Sequence, residues 1–122
     1  MEWQFRGDQP IYAQIVQLMK LQIVSGALRP GERLPAVRDL AMEAGVNPNT
    51  MQRALTELER DGLVFAQRTS GRYVTDNEED IVQVRRELAR SQVAAFLKAM
   101  ERLGYAEEEI PDLIAECKKE EQ

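Results

Sequence analysis

Histidine is absent from this chain. Its absence removes the commonest general acid/base and the commonest metal ligand together. Cysteine occurs once, at Cys117, so neither an internal disulfide framework nor a cysteine-cluster zinc site can form. Long apolar runs are lacking too. The longest stretch without a charged residue, Gln9 to Met19, is eleven residues, whereas a membrane-spanning helix needs about 20. The opening Met1-Glu2-Trp3-Gln4-Phe5-Arg6 has no basic segment leading into an apolar one, so it does not read as a secretory leader. The expectation is a cytoplasmic protein with no membrane contact, no metal, no cofactor and no catalytic residues. At 122 residues the chain can bury a real core but is short for a two-domain enzyme.

The formal charge is −5, which at first argues against a nucleic-acid partner. Its distribution says more. Residues 1–75 carry 9 Lys+Arg and 8 Asp+Glu, a net +1, while residues 76–122 carry 7 and 13, a net −6. Eight of the nine basic residues in the first part are arginine, the side chain suited to bidentate contacts with phosphate and guanine.

Apolar periodicity divides the first part into three helices and a hairpin. Gln9-Pro10-Ile11 opens a long amphipathic helix with Ile11, Ile15, Leu18, Met19 and Ile23 on its apolar face, ended by Ser25-Gly26. A Pro30-Gly31 turn leads to a short helix beginning near Pro35, with Leu34, Val37, Leu40 and Ala41 on one side and Gly45 at its end. The third helix has the strongest start signal. Asn47 suits the cap, Pro48 the first turn, and Val46 and Met51 a hydrophobic staple. Its buried stripe is Met51, Ala54, Leu55 and Leu58, and Asp61-Gly62 stops it. The period then changes. Leu63–Ala66 and Arg72–Thr75 are β-rich, with Gln67–Gly71 as the loop between them.

Helix, helix, turn, helix, hairpin is the order of a winged helix-turn-helix. The fold class expected is mainly α with a small β-hairpin, the winged helix over residues 1–75 and a two-helix dimerisation tail over 76–122. The third helix should project outward and expose Asn49, Thr50, Gln52, Arg53 and Thr56. Short hydroxyl and amide groups with one arginine suit base edges and phosphates in a major groove, and the helix start offers free N–H groups to a phosphate. Asn47 reads as a cap, Tyr12 as core packing, Arg29 and Arg33 as solvent-facing loop residues, and Cys117 as a small apolar side chain.

Two stretches carry a resemblance. Pro10–Ile15 with Ser25–Ala41, and Gly45–Leu55 with Leu58–Leu63, are similar to the N-terminal domain of GntR-family transcription regulators. The resemblance covers about residues 9–75. The Pro-Ile-Tyr-x-Gln-Ile opening and the short helical tail look like the YtrA type, whose members are dimeric repressors often encoded beside ABC-transporter genes. The resemblance implies a sequence-specific regulator of double-stranded DNA, a repressor on a palindromic operator such as that of a transporter operon. It implies that Arg38 grips a phosphate or base, and that Asn49, Thr50, Gln52 and Arg53 face the groove. It implies that Arg68, Ser70 and Gly71 form the tip of the wing. Three departures stand out. Ala36 replaces a serine common in the family and forfeits a helix cap. Gln52 replaces a basic residue, which shifts preference toward adenine edges. The wing is less basic and less glycine-rich than usual.

The acidic tail reads as two more apolar-striped helices. Val93, Phe96, Leu97 and Met100 lie on the first, and Ile110, Leu113 and Ile114 on the second. Such a pair cannot form a core alone, so a homodimer interface between two tails is expected. Two winged helices held about 34–36 Å apart would read a palindrome. A small-molecule effector has room here, but no polar cluster marks a pocket for it. The rival reading is a winged-helix protein-interaction module whose acidic tail binds a protein partner.

Overall fold

The computed structural model describes residues 1–121. The elements are α1 (Ile11–Val24), α2 (Val37–Ala44), α3 (Pro48–Arg60), β1 (Val64–Gln67), β2 (Gly71–Val74), α4 (Glu78–Arg102), a 3₁₀ turn (Glu107–Glu109) and α5 (Ile110–Glu120). The expected order of helices and hairpin is the order found. Two compact units result, Met1–Arg85 and Arg86–Gln122.

In the first unit, α3 packs on α1, α2 and β1. Ile15, Met19 and Ile23 of α1, Leu40 and Ala41 of α2, and Met51, Ala54, Leu55 and Leu58 of α3 are buried, joined by Leu63, Val64 and Val74. Each large apolar side chain so buried contributes about 1.5–3 kcal/mol. The sharp approach of α2 to α3 depends on Gly45, whose φ of +71° lies in the left-handed region that strains any residue with a Cβ. Two residues later Asn47 caps α3, its side chain accepting a hydrogen bond from the Asn49 N–H at 2.8 Å, and Pro48 follows in the first turn. Asn47→Ala is expected to cost about 1 kcal/mol of stability, measurable as a lower midpoint in urea with an unchanged slope. Ala36, by contrast, makes no side-chain cap at α2.

β1 and β2 pair antiparallel in the register Val64 with Val74, Phe65 with Tyr73, Ala66 with Arg72 and Gln67 with Gly71. The loop between them is therefore Arg68-Thr69-Ser70, shorter at both ends than the sequence suggests. A two-stranded hairpin is marginal by itself. Here the chain leading from α1 to α2 runs along its outer edge. The N–H of Gly31 donates to the carbonyl of Val74 at 2.9 Å, that of Val74 to Glu32 at 2.8 Å, and that of Leu34 to Arg72 at 2.8 Å, with Arg33 bridged to Tyr73.

The first unit also includes the first two turns of α4. The side chain of Asn77 accepts hydrogen bonds from the N–H groups of Glu79 and Asp80, and Ile81 and Val84 are 9% and 7% exposed. The compact unit thus ends at Arg85, ten residues past the boundary the charge shift suggested.

The second unit holds the rest of α4, a turn at Gly104 (φ +91°) and α5. Its apolar side chains are poorly covered. Val93 is 55% exposed, Phe96 42%, Leu103 71% and Ile114 42%, while Leu97, Met100 and Leu113 are half-buried. Ile110 corrects the sequence expectation. At 5% exposure it is already buried, beside a hollow that Ala94, Leu97 and Tyr105 also line. Among the described residues no helix is long and apolar enough to cross a membrane.

Candidate nucleic-acid interface

α3 has two unlike faces. Met51, Ala54, Leu55 and Leu58 are buried, and Asn49, Gln52, Arg53 and Thr56, spaced i, i+3, i+4, i+7, are exposed. That is one polar stripe opposite one apolar stripe on a 3.6-residue helix. Thr50, expected to be exposed with them, is half-buried, since it lies at the edge between the faces. The Thr56 hydroxyl donates to the Gln52 carbonyl at 2.9 Å and accepts from Gln52 Nε2 at 3.3 Å. Gln52 is thereby laid along its own helix.

Charge pairing separates the basic residues of 1–75 into two groups. Lys20 pairs with Asp61 at 3.1 Å, Arg60 with Glu57 at 2.9 Å, Arg72 with Glu59, and Arg6 loosely with Asp8 at 3.6 Å. Arg29, Arg33, Arg38, Arg53 and Arg68 form no ion pair among the described residues. Glu57 and Glu59 of α3 are thus paired with Arg60 and Arg72, Asp61 just past it with Lys20, and Arg53 is the arginine of α3 left without a carboxylate. Glu57 stands four residues after Arg53 and would be its natural helix partner, but it is taken by Arg60. Arg38, the second residue of α2, is exposed and does not pair with Asp39 or Glu43; Glu43 instead lies 3.7 Å from the terminal amine of Met1.

The wing tip is ordered by its own polar groups. Ser70 Oγ donates to Gln67 Oε1 at 3.0 Å, so this hydroxyl is engaged inside the loop. Arg68 is exposed. Gly71 has a φ of +103°, and that dihedral, more than space, calls for glycine. Phe65 and Tyr73 stack across the hairpin with ring centroids 5.7 Å apart.

Two residues read otherwise from sequence belong to this surface. Arg33 lies against the wing, its Nε 3.5 Å from where a Cβ on Gly71 would stand. Tyr12 is half-buried with its ring beneath the guanidinium of Arg53, 3.6 Å from centroid to Cζ. Both contacts join residues about 40 positions apart, and no local pattern announces them.

This arrangement has relatives. The sequence profile of bacterial regulatory proteins of the gntR family matches residues 11–74. The chain belongs to the gntR family. It is a DNA-binding transcription regulator with the winged helix of that family. The HTH-type transcriptional regulator YhcF of Bacillus subtilis is 37% identical over 110 residues, 90% of this chain and 91% of that protein. The HTH-type transcriptional repressor YtrA of Bacillus subtilis is 44% identical over 72 residues, 59% of this chain and 55% of that protein, which agrees with the YtrA-like opening at Pro10–Ile15. Among solved structures, a GntR family transcriptional regulator from Listeria monocytogenes superposes with a TM-score of 0.84 at 35% identity, covering 92% of this chain and 98% of that one. AraR(DBD) in complex with operator ORX1 gives 0.56 at 26% identity, covering 62% and 96%.

Proposed function

We propose that this gntR-family chain is a dimeric repressor that binds a palindromic DNA site with two winged helices and occludes a promoter. The observation that carries the DNA part is the pairing pattern. Arg38, Arg53 and Arg68, on α2, α3 and the wing, are exposed and without a carboxylate partner, as are Arg29 and Arg33 in the segment leading to α2, whereas Lys20, Arg60 and Arg72 are paired. In this reading Arg38 holds a phosphate, Asn49, Thr50, Gln52 and Arg53 meet the major groove, and Arg68, Ser70 and Gly71 approach the backbone or minor groove. The similarity to AraR(DBD), whose structure contains operator DNA, and to a relative named a repressor supports it.

The dimer rests on Val93, Phe96, Leu103 and Ile114, 42–71% exposed in a unit of only two helices. A second copy covers this face, with Leu97, Met100 and Leu113 at its margin. The acidic tail lies away from the duplex, since DNA would repel it. Such a regulator works in the cytoplasm, and a transporter operon is its proposed target by likeness to the YtrA type.

The test is fluorescence anisotropy on DNA from upstream of the protein's own gene against a scrambled duplex. The expected result is selective binding that weakens by about 10³ between 50 and 200 mM salt, if 6 or more phosphates are neutralised. Arg38→Ala should cost about 1–3 kcal/mol of binding with the melting temperature unchanged. No binding to either duplex at low salt would overturn this reading in favour of a protein-interaction module.

A further inference from the structure

The Arg53–Tyr12 contact has a property that an ion pair lacks. A carboxylate facing Arg53 would occupy its N–H donors and cancel its charge. The ring of Tyr12 takes only the flat face of the guanidinium, 3.6 Å away, and the donors radiate in the guanidinium plane. Stacking therefore orients this side chain while leaving its edge free for two parallel hydrogen bonds. Arg53 is exposed, Tyr12 is half-buried in the first turn of α1, and α1 packs against α3, so the ring is a fixed platform. An unrestrained arginine has large rotamer freedom to lose on binding, and a mobile one reaches whichever phosphate is near.

We propose that Tyr12 is a specificity-determining positioning residue, which holds the Arg53 guanidinium in place before DNA arrives so that it meets one base edge. This rests on the reading of α3 as the groove-reading helix. Gln52 is restrained by Thr56 of the same helix, whereas Arg53 is restrained by a different helix, and its aim depends on how α1 sits on α3.

A double-mutant cycle tests this on the full chain. The probes are a labelled duplex enriched by the wild-type protein from a random-sequence pool and a scrambled duplex. Tyr12→Leu is expected to weaken binding to the enriched duplex about two- to fivefold, the size of a partly exposed cation–π contact. Binding to the scrambled duplex and the salt slope should stay as they are. In an Arg53→Ala background the same change should cost nothing further, and Tyr12→Phe should match wild type. Equal losses with and without Arg53, or a Tyr12→Phe protein as weak as Tyr12→Leu, would overturn the proposal, the latter by making the phenol itself the contact. A readout on the unbound wild-type protein needs no variant at position 12. The Arg53 Nε proton, identified by its loss in Arg53→Lys, should be shifted upfield by the tyrosine ring, and an ordinary position would likewise overturn it. If the wild type enriches no duplex at all, the DNA reading of α3 itself fails, which is a different result from a flat cycle.

Discussion

Phe96→Glu is expected to turn the proposed dimer into a monomer and to weaken binding to upstream DNA by about 100-fold or more. The phenylalanine is 42% exposed on α4, and a carboxylate in its place would have to lose its hydration to sit between two tails. The effect on DNA follows from linkage. Two half-site contacts joined in one particle gain about 10²–10⁴ over a single one through effective concentration. Sedimentation velocity gives the mass, and anisotropy under the same conditions gives the affinity. A variant that still sediments as a dimer would place the interface elsewhere. A monomer that binds as tightly as wild type would mean that one winged helix suffices.

Leu58→Ala carries the largest expected loss of stability. Leu58 is 0% exposed on α3, and the helix that holds it touches α1, α2 and β1. Removing three carbons there forfeits their burial and leaves a cavity that three neighbouring elements cannot readily close, at about 2–5 kcal/mol. For a unit of this size that is a fall in melting temperature of roughly 8–40 °C. The companion Met42→Ala, at a residue 77% exposed on α2, should stay within about 0.5 kcal/mol. Calorimetry at one fixed protein concentration tests both, since dimerisation adds to apparent stability. A Leu58→Ala protein melting within about 3 °C of wild type would contradict the packing described for α3.

What could be read from the sequence was what depends on near neighbours. Gly45, Asn47 and Pro48 fix the turn and the start of α3 through contacts within a few residues, and the structure places all three as expected. The apolar stripe Met51, Ala54, Leu55, Leu58 follows from period alone, and so does the opposite stripe of Asn49, Gln52 and Arg53. What could not be read depends on tertiary approach. The acidic run Asp76–Asp80 hid the fact that Ile81 and Val84, just beyond it, are buried in the first unit. Ile110 looked like its neighbours Leu113 and Ile114, yet of the three it alone is buried. Arg33 and Tyr12 have no periodic signature. One follows a Pro-Gly turn and the other lies on the flank of a helix, and each acquires its neighbour only when α1, α3 and the hairpin come together.

The edge pairing of Gly31–Leu34 along β2 has a mechanical consequence. Three backbone hydrogen bonds tie the hairpin to the segment that becomes α2 only three residues later, so the wing and Arg38 are carried on one stiff piece. In the proposed complex a wing so tied would follow the curvature of a duplex less readily than a free hairpin. More of the accommodation would fall to the duplex, at an elastic cost that depends on its own sequence. Flexible pyrimidine–purine steps between the proposed helix and wing contacts would then count toward recognition, although no side chain reaches them.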